Sequence, residues 1–525
     1  CIVMKKQILL SAILSLATCN MFAADLTVTS ASGDPSVEGS FPNIMASAQT
    51  DDVIKFNLAT DDIEEFDTVT IDSKSLTIDG MNQATGNKIK FTGAKQTLSM
   101  KGACTIMIKN CVFTGKNKAQ ALFVQTGANL NIQDCDFIKN MHSSSGGVLG
   151  VSQDVTCSIK NCLFDGNSAT GDGGCIRIYN NAKVTIENST FKNNNSSASG
   201  GAIYMYSTNG KNESAFALTI TNSTFVNNYA GNRAGAIYIY SRDVSKPLDG
   251  VKIINSTITA NYSTKNLGGG IFVCSNTDCS SKLVLVNTII AGNTGGLVDG
   301  AYFVPTDLGF WKGDKKDGVE IVRNYDWELK NCVYGATYAT ADDTQLNNVD
   351  HSALFDNSNI KVTDFATSKL FTSLYKLDNT VFPDIEGDEV WSPALSNDAT
   401  PIASLCENSI AIAKGTASYA GVTIPTTDQL GTARPATPAI GAVEYGSATG
   451  LWNPAAQKSS IKIWNDGNQL FVDGFEGTVS VSVYDLTGKQ VYEGTIQKDA
   501  STTLNIDKGI YVAKVNNVTA KLVMK

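Results

Sequence analysis

The chain has 525 residues, 42% of them hydrophobic, with 41 Lys and Arg against 50 Asp and Glu and a net charge of −9. A mildly acidic surface is a poor partner for nucleic acid or anionic membranes, so both are set aside. The length is ample for a large core and a second domain.

Residues 1–24 read as a signal peptide. Met4-Lys5-Lys6 gives a charged start, Ile8 to Ala17 an apolar centre, and Ala23 or Ala24 a cleavage point. Leu16-Ala17-Thr18-Cys19 approaches a lipoprotein signal, although Thr before the Cys suits it poorly. No later apolar run is long enough to cross a bilayer, so no transmembrane segment is expected after the leader. Residues 25–105 read as an N-terminal cap and entry coils. Leu76-Thr-Ile78-Asp-Gly80 and Leu98-Ser-Met100 look like degenerate strands of a repeat. A cap is expected because an open first coil exposes sheet edges.

Residues 106–334 repeat one pattern, apolar-x-apolar-x-Asn-small-x-apolar. Ile106 to Phe113, Leu130 to Phe137, Cys157 to Phe164, Val184 to Phe191, Leu218 to Phe225, Val251 to Ile258 and Leu283 to Ile290 are copies, and Trp327 to Tyr334 is another. Repeats at such a period mean a solenoid whose units bury their apolar faces against neighbours. The alternation is a short strand. The Asn interrupts it at a bend, since Asn tolerates left-handed backbone. A second Asn recurs at 140, 167, 194, 228, 261 and 293, and stacked coils would bring such amides into ladders. Each unit holds a further strand after glycine, as in Gly174-Cys-Ile-Arg-Ile178, Gly201-Ala-Ile-Tyr-Met205 and Gly235-Ala-Ile-Tyr-Ile239. The expected fold is all-β: a right-handed parallel β-helix followed by a small C-terminal β-sandwich. Residues 291–326 interrupt the repeat with Pro305, Trp311 and a charged run, and read as an excursion.

If Ile176, Ile203, Ile237 and Ile271 point inward, their neighbours point outward. Arg177, Tyr204, Tyr238 and Phe272 then form one outer column, and Tyr179, Tyr206 and Tyr240 a second. Flat aromatic strips suit sugar rings, and they also suit protein partners. The rings could equally stack only on one another or lie under another segment. Cys111, Cys135 and Cys162 share a column with Ser189, Ser223 and Ser256 and read as small buried thiols. Cys274 and Cys279 leave the columns and are the candidate disulfide.

Residues 335–448 lose the repeat and read as a closing segment, 449–460 as a linker, and 461–525 as a separate β-domain. Val479-Ser-Val-Ser-Val-Tyr484 alternates, Asp485-Leu-Thr-Gly488 turns, and Gly509 to Val515 is another strand.

Gly200-Gly-Ala-Ile203 and Phe191-x-x-Asn194 are similar to the repeats of chlamydial-type polymorphic outer membrane proteins, and the wider pattern resembles the pectin-lyase-like β-helix superfamily. That superfamily hosts lyases, hydrolases, adhesins and tailspikes, so the fold does not choose a function. Asp350-His-Ser-Ala-Leu-Phe355, Ser392-Pro-Ala-Leu395 and Asp428-Gln-Leu-Gly431 to Glu444 resemble the closing segment of the choice-of-anchor Q group of exported Bacteroidota proteins, with His-Ser in place of the group's Pro. Val483-Tyr-Asp-Leu-Thr-Gly-Lys489, Lys508 to Val515 and Lys521-Leu-Val-Met-Lys525 closely resemble the type IX secretion sorting domain. This implies export, with the type IX machinery as a partner through residues 461–525 and a place on the cell surface or outside the cell.

Catalytic chemistry is poorly supported by the residues. The Gly-His-Gly and Arg-x-Lys motifs of polygalacturonase-like hydrolases are missing. Asp51-Asp52, Asp61-Asp62 and Asp342-Asp343 lie off the central strands and read as solvated turns. Arg177 has no Asp in its column to complete a lyase site. His142 and His351 have no nucleophile pattern beside them, and no Cys-x-x-Cys or His pair points to zinc. No cofactor is expected; Ca²⁺ is compatible with such a scaffold, but nothing indicates it. The sequence favours a surface protein that binds glycan or adheres to a host or cell-surface ligand. A polysaccharide lyase or glycoside hydrolase on the outer face is the alternative, and a structural surface protein the third.

Overall fold

The structure is a computed structural model and describes residues 23–207, 217–242, 250–265, 268–276, 281–296, 304–311, 315–316, 319–320, 325–342, 345–348, 356–377, 390–447, 462–473, 478–485, 489–498, 500–515 and 518–524. Residues 1–22 of the leader, Cys279, His351, Asp343 and the linker lie outside the described residues. The chain divides into two compact units, residues 1–451 and 452–525.

The first unit is a solenoid of four sheets. Three have eleven strands and one has seven. The first sheet runs from Asp25–Val28 to Tyr325–Lys330, and the second from Asp62–Ile63 to Ile360–Lys361. The third runs from Met141–His142 to Val304–Pro305, and the fourth from Val69–Asp72 to Gln345–Asn348. A full coil visits them in that order. Neighbouring coils pair in parallel and in register, so Ile132, Ile159, Ile186, Ile220, Ile253, Leu285 and Leu329 form one column. Antiparallel pairing ends the third and fourth sheets.

The bend after each first-sheet strand is left-handed. Asn110, Asp134, Asn161, Asn188, Asn222, Asn255, Asn287 and Asn331 have φ of 47–56°. Short Asx side chains tolerate this conformation where branched ones do not. The bend turns the second-sheet aromatics inward. Phe113, Phe137, Phe164, Phe191 and Phe225 stack at centroid separations of 5.1, 4.8, 4.3 and 4.6 Å. The next two coils continue the column with Ile258 and Ile290. The small residue after the bend is buried whether it is Cys or Ser. Cys111, Cys135, Cys162 and Cys332 are free thiols there, and burial pushes the Cys332 thiol up to about 12.

The second Asn of each unit forms a fully buried ladder. Each amide donates Nδ2 to the Oδ1 of the next coil's Asn, from Asn140 through Asn167, Asn194, Asn228 and Asn261 to Asn293, at 2.8–3.0 Å. Each amide thus gives one N–H to the following coil, and its other N–H to a carbonyl of the preceding one, as Asn167 Nδ2 does to Phe137. The last amide donates 2.8 Å to Asp307 Oδ1, and Asp307 Oδ2 accepts from the Ala336 N–H at 2.8 Å. Gly335 leaves room for this, since a Cβ there would stand 2.1 Å from Oδ2.

Burial pushes the Asp307 carboxyl up to about 7, against the N–H groups of Asn293 and Ala336 that hold its charge. Its pKa in the unfolded chain is about 4. Between the two values the folded state binds more protons than the unfolded one, so stability falls as pH climbs from about 4 to about 7. The span corresponds to at most about 4 kcal/mol. Asp307→Asn should therefore narrow the melting-temperature difference between pH 4.5 and pH 7.5 relative to wild type. An unchanged difference would exclude this carboxylate as the titrating group.

Three elements differ from what the sequence suggests. Leu98–Lys101 is a fourth-sheet strand, pairing with Leu122–Val124, and not a first-sheet strand like Leu76–Asn82. Coils already begin at Asp25, and the cap is the short helix Phe41–Ser47, opened by Ser40 as N-cap and Pro42, with Phe41 packed on Phe56 and Phe91. The segment read as an excursion returns to the solenoid: Leu308–Trp311 pairs in register with Ile271–Asn276, burying Leu308 and Phe310. Its strand lacks the preceding glycine pair, so the alternation is masked by its surroundings.

The closing segment lies along the outside of the second sheet. Thr190 Oγ1 donates to the Pro401 carbonyl and Thr224 Oγ1 to Gln429 Oε1, at 2.8 and 2.7 Å. Gln429 Nε2 donates to Thr190 Oγ1 at 2.8 Å, and the Ala442 N–H to Thr257 Oγ1 at 3.1 Å. Ile289 and Val333 pack on Leu370, Phe371 and Ile440, while Tyr229 and Tyr262 of the third sheet pack on Leu377 and Val390. At its centre Arg434 and Glu444 form a 2.6 Å ion pair, with side chains 2% and 11% exposed.

The second unit has a three-stranded and a four-stranded antiparallel sheet. Val479, Val481 and Val483 face a core shared with Leu470, Val515 and Leu522. No helix among the described residues is long and apolar enough to cross a membrane.

Candidate ligand-binding face

The fourth sheet carries both expected aromatic columns. Arg177, Tyr204, Tyr238 and Phe272 pair in register, as do Tyr206, Tyr240 and Cys274. Ile176, Ile203, Ile237 and Ile271 lie in the solenoid core, so these neighbours stand on the outer side.

The inner column is nevertheless covered. Tyr204, Tyr238 and Phe272 are 7%, 3% and 1% exposed and form a cluster with Ala234 and Cys274. Two packings bury them. Tyr238 lies 5.2 Å from Tyr204 and 5.7 Å from Phe272. The tight turn before each strand also folds onto the column: a Cβ at Gly173 would meet Tyr204 Cβ at 3.3 Å, and one at Gly268 would meet Phe272 Cβ at 3.0 Å. The turn residues Gly173, Gly200, Ala234 and Gly268 share positive φ, which lets it double back. Burial raises the phenol pKa of Tyr204 and of Tyr238. The Tyr238 hydroxyl accepts from Arg233 Nη1 at 3.5 Å.

The outer column stays partly exposed at Tyr179, Tyr206 and Tyr240, although Tyr206 and Tyr240 also pack against the buried cluster. Tyr206 and Tyr240 stack at 5.3 Å with an 8° interplanar angle. The Arg177 guanidinium sits 4.5 Å from the Tyr179 ring centre and 5.9 Å from that of Tyr206. Sequence reasoning missed the N-terminal end of this face. Phe123, half-exposed, occupies the Arg177 column two coils earlier, with Gly150 between. Its ring and the Gln120 amide both lie 2.8 Å from where a Gly150 Cβ would be. The period-two alternation of Leu122–Val124 was the available signal, without a glycine pair to flag it. Cys274 is buried in the aromatic cluster, and Cys279 is outside the described residues.

Another open face lies on the second sheet ahead of the closing segment. It carries Lys88–Asp136 and Lys192–Asp165 pairs at 2.9 and 3.0 Å, and a Lys109–Asp79 pair at 2.9 Å borders it from the ends of two first-sheet strands. Asp79, Asp134 and Asp165 also accept from Asn110, Asn161 and Asn193 of the following coils. These acids are held as inter-coil ladders. Asp52 is likewise engaged by the N–H groups of Ala24 and Gln49, and Asp61 by Asn82, Thr85 and Asn87. His142 Nδ1 lies 2.8 Å from the Ser145 carbonyl. Among the described residues, no group of three His, Cys, Asp or Glu is placed to hold a metal ion.

Comparison with known families agrees with this architecture. Residues 68–216 match the right-handed β-helix region family, and residues 453–525 match the secretion system C-terminal sorting domain. No protein of curated function matches the chain. The protein is a right-handed parallel β-helix with a type IX secretion sorting domain at its C-terminal end. It is an exported protein of the cell surface, outer membrane or extracellular space, and its sorting domain engages the secretion machinery.

Proposed function

We propose that this exported β-helix is a glycan-binding or adhesive surface protein, and that it contacts its ligand through the half-exposed column of Tyr179, Tyr206 and Tyr240 beside Arg177. The observation that carries the reading is the pair of near-parallel rings of Tyr206 and Tyr240 on a rigid sheet. Such rings offer flat apolar faces to sugar C–H groups and keep their hydroxyls at the rim for hydrogen bonds. The parallel ladder fixes them, so little order is lost on binding. The ion-paired acids of the other open face lack the unengaged carboxylates that hydrolysis needs, which favours binding over cleavage.

Tyr206→Ala/Tyr240→Ala should weaken glycan binding at least about tenfold while the chain still folds, with a modest fall in melting temperature because both rings also pack against the buried Tyr204–Tyr238 cluster. Calorimetric titration beside a thermal melt reads both. Undiminished affinity would remove the column from the site.

A further inference from the structure

We propose that the ligand of this face is a glycan that is neutral along most of its length and carries one anionic substituent, a carboxylate or a sulfate ester, seated on Arg177. This deepens the glycan reading above and rests on it.

Arg177 is anomalous in its surroundings. It is half-buried, and its guanidinium makes no hydrogen bond or ion pair among the described residues. Its Nε is enclosed without any partner. A cation in a partly desolvated position is normally matched by an acid or by acceptors, and leaving it unmatched is costly. Elsewhere in this solenoid, Lys88, Lys109, Lys192 and Arg434 each have a carboxylate within 3.0 Å. The guanidinium instead lies against three rings, 4.5 Å from the centre of Tyr179, 5.7 Å from Tyr204 and 5.9 Å from Tyr206. Ring contact orients the planar fork without consuming its donors, so it stays available for bidentate recognition.

Its position decides what it can meet. Gly150 precedes it in the column, with Phe123 beyond, and Tyr206 and Tyr240 follow on the next two coils. A chain laid along the rings would therefore cross one unmatched cation, with aromatic rings before and after it. The neighbouring Asp172 forms no ion pair with Arg177, yet it is close enough for the Arg charge to act on its carboxyl. Its oxygen accepts from the Ser199 N–H at 3.2 Å. A ligand with a negative charge on every sugar would place a second charge near Asp172, on a protein whose net charge is already −9. One charge is complementary here, and a run of charges is not.

The test uses the whole chain after leader removal. The probes are a neutral hexose tetrasaccharide, the same tetrasaccharide with one terminal carboxylate, the same with one sulfate ester, and a tetrameric polyuronate, each titrated at low and high salt. The singly charged probes should bind at least about tenfold tighter than the neutral one, with a salt dependence of a single ion pair, and the polyuronate should bind more weakly than they do. Whichever of the two singly charged probes binds tighter identifies the substituent. In Arg177→Gln that preference should collapse, and Arg177→Lys should restore part of it if the fold is intact by thermal melt. Equal binding of neutral and charged probes, or a preference that survives Arg177→Gln, overturns the proposal and leaves the glycan reading in place. No binding of any probe would sink both.

Discussion

Arg434→Met is expected to loosen the closing segment without unwinding the coils beneath it. The Arg434 guanidinium donates 2.6 Å to Glu444 Oε1, 3.1 Å to Asn222 Oδ1 and 3.0 Å to the carbonyls of Gly441 and Ala442. Burial works against its charge, while Glu444 and Asp428 sustain it. Removing the cation strands a buried carboxylate, which costs about 3–5 kcal/mol. Glu444 keeps only the Ala439 N–H, at 3.0 Å to each oxygen. Hydrogen exchange should show the amides of Gln429, Arg434 and Ala442 losing most of their protection, with Ile186 and Ile220 in the first sheet unchanged. Arg434→Met/Glu444→Gln should recover part of the loss, because no orphan charge remains. Unaltered protection in the single variant would mean that apolar packing alone holds the segment.

The second large effect is expected from the amide ladder. Asn194 Oδ1 accepts from the Asn167 backbone N–H at 2.9 Å and from its Nδ2 at 3.0 Å, and Asn194 Nδ2 donates 3.0 Å to the Phe164 carbonyl and 2.8 Å to Asn228 Oδ1. Every residue involved is fully buried, so Asn194→Ala leaves a backbone N–H, an amide N–H and a carbonyl short of partners. At about 1–3 kcal/mol for each orphaned group, a loss of about 4 kcal/mol is expected in denaturant unfolding. Asn194→Ala/Asn228→Ala should cost less than the sum of the single variants, because the bond between the two amides is lost only once. The aligned dipoles polarise one another, which increases this coupling. A loss below about 1 kcal/mol in Asn194→Ala would contradict the ladder as a stabilising element.

The features legible in the sequence are the local ones. The Asn bends, the Cys and Ser column and the strands after glycine pairs each repeat within one coil. Their residue types report backbone geometry directly, as the positive φ of Asn161 or Asn188 shows. The outer placement of Tyr206 and Tyr240 came from the same period-two argument. The unreadable parts depend on distant or atypical contacts. The burial of Tyr204 and Tyr238 needs the turns that double back at Gly173 and Ala234, and alternation carries no signal for it. The closing segment reaches Thr224 through Gln429, 205 residues along the chain, and its apolar residues Leu370, Phe371 and Ile440 are scattered. The seven-residue helix Phe41–Ser47 is too short for a helical period to stand out, although Ser40 and Pro42 are ordinary start signals. Leu308–Trp311 was obscured by the Pro and charged residues around it.

The most direct test of the account is an array of neutral and singly charged glycans probed with the leader-free protein and with Tyr206→Ala/Tyr240→Ala, with newly formed reducing and unsaturated ends measured in the same wells. Binding by the wild type, loss of that binding in the variant and no new ends is the predicted result. Equal binding by both proteins, or release of ends by the wild type, would contradict a binding face built on the outer tyrosine column.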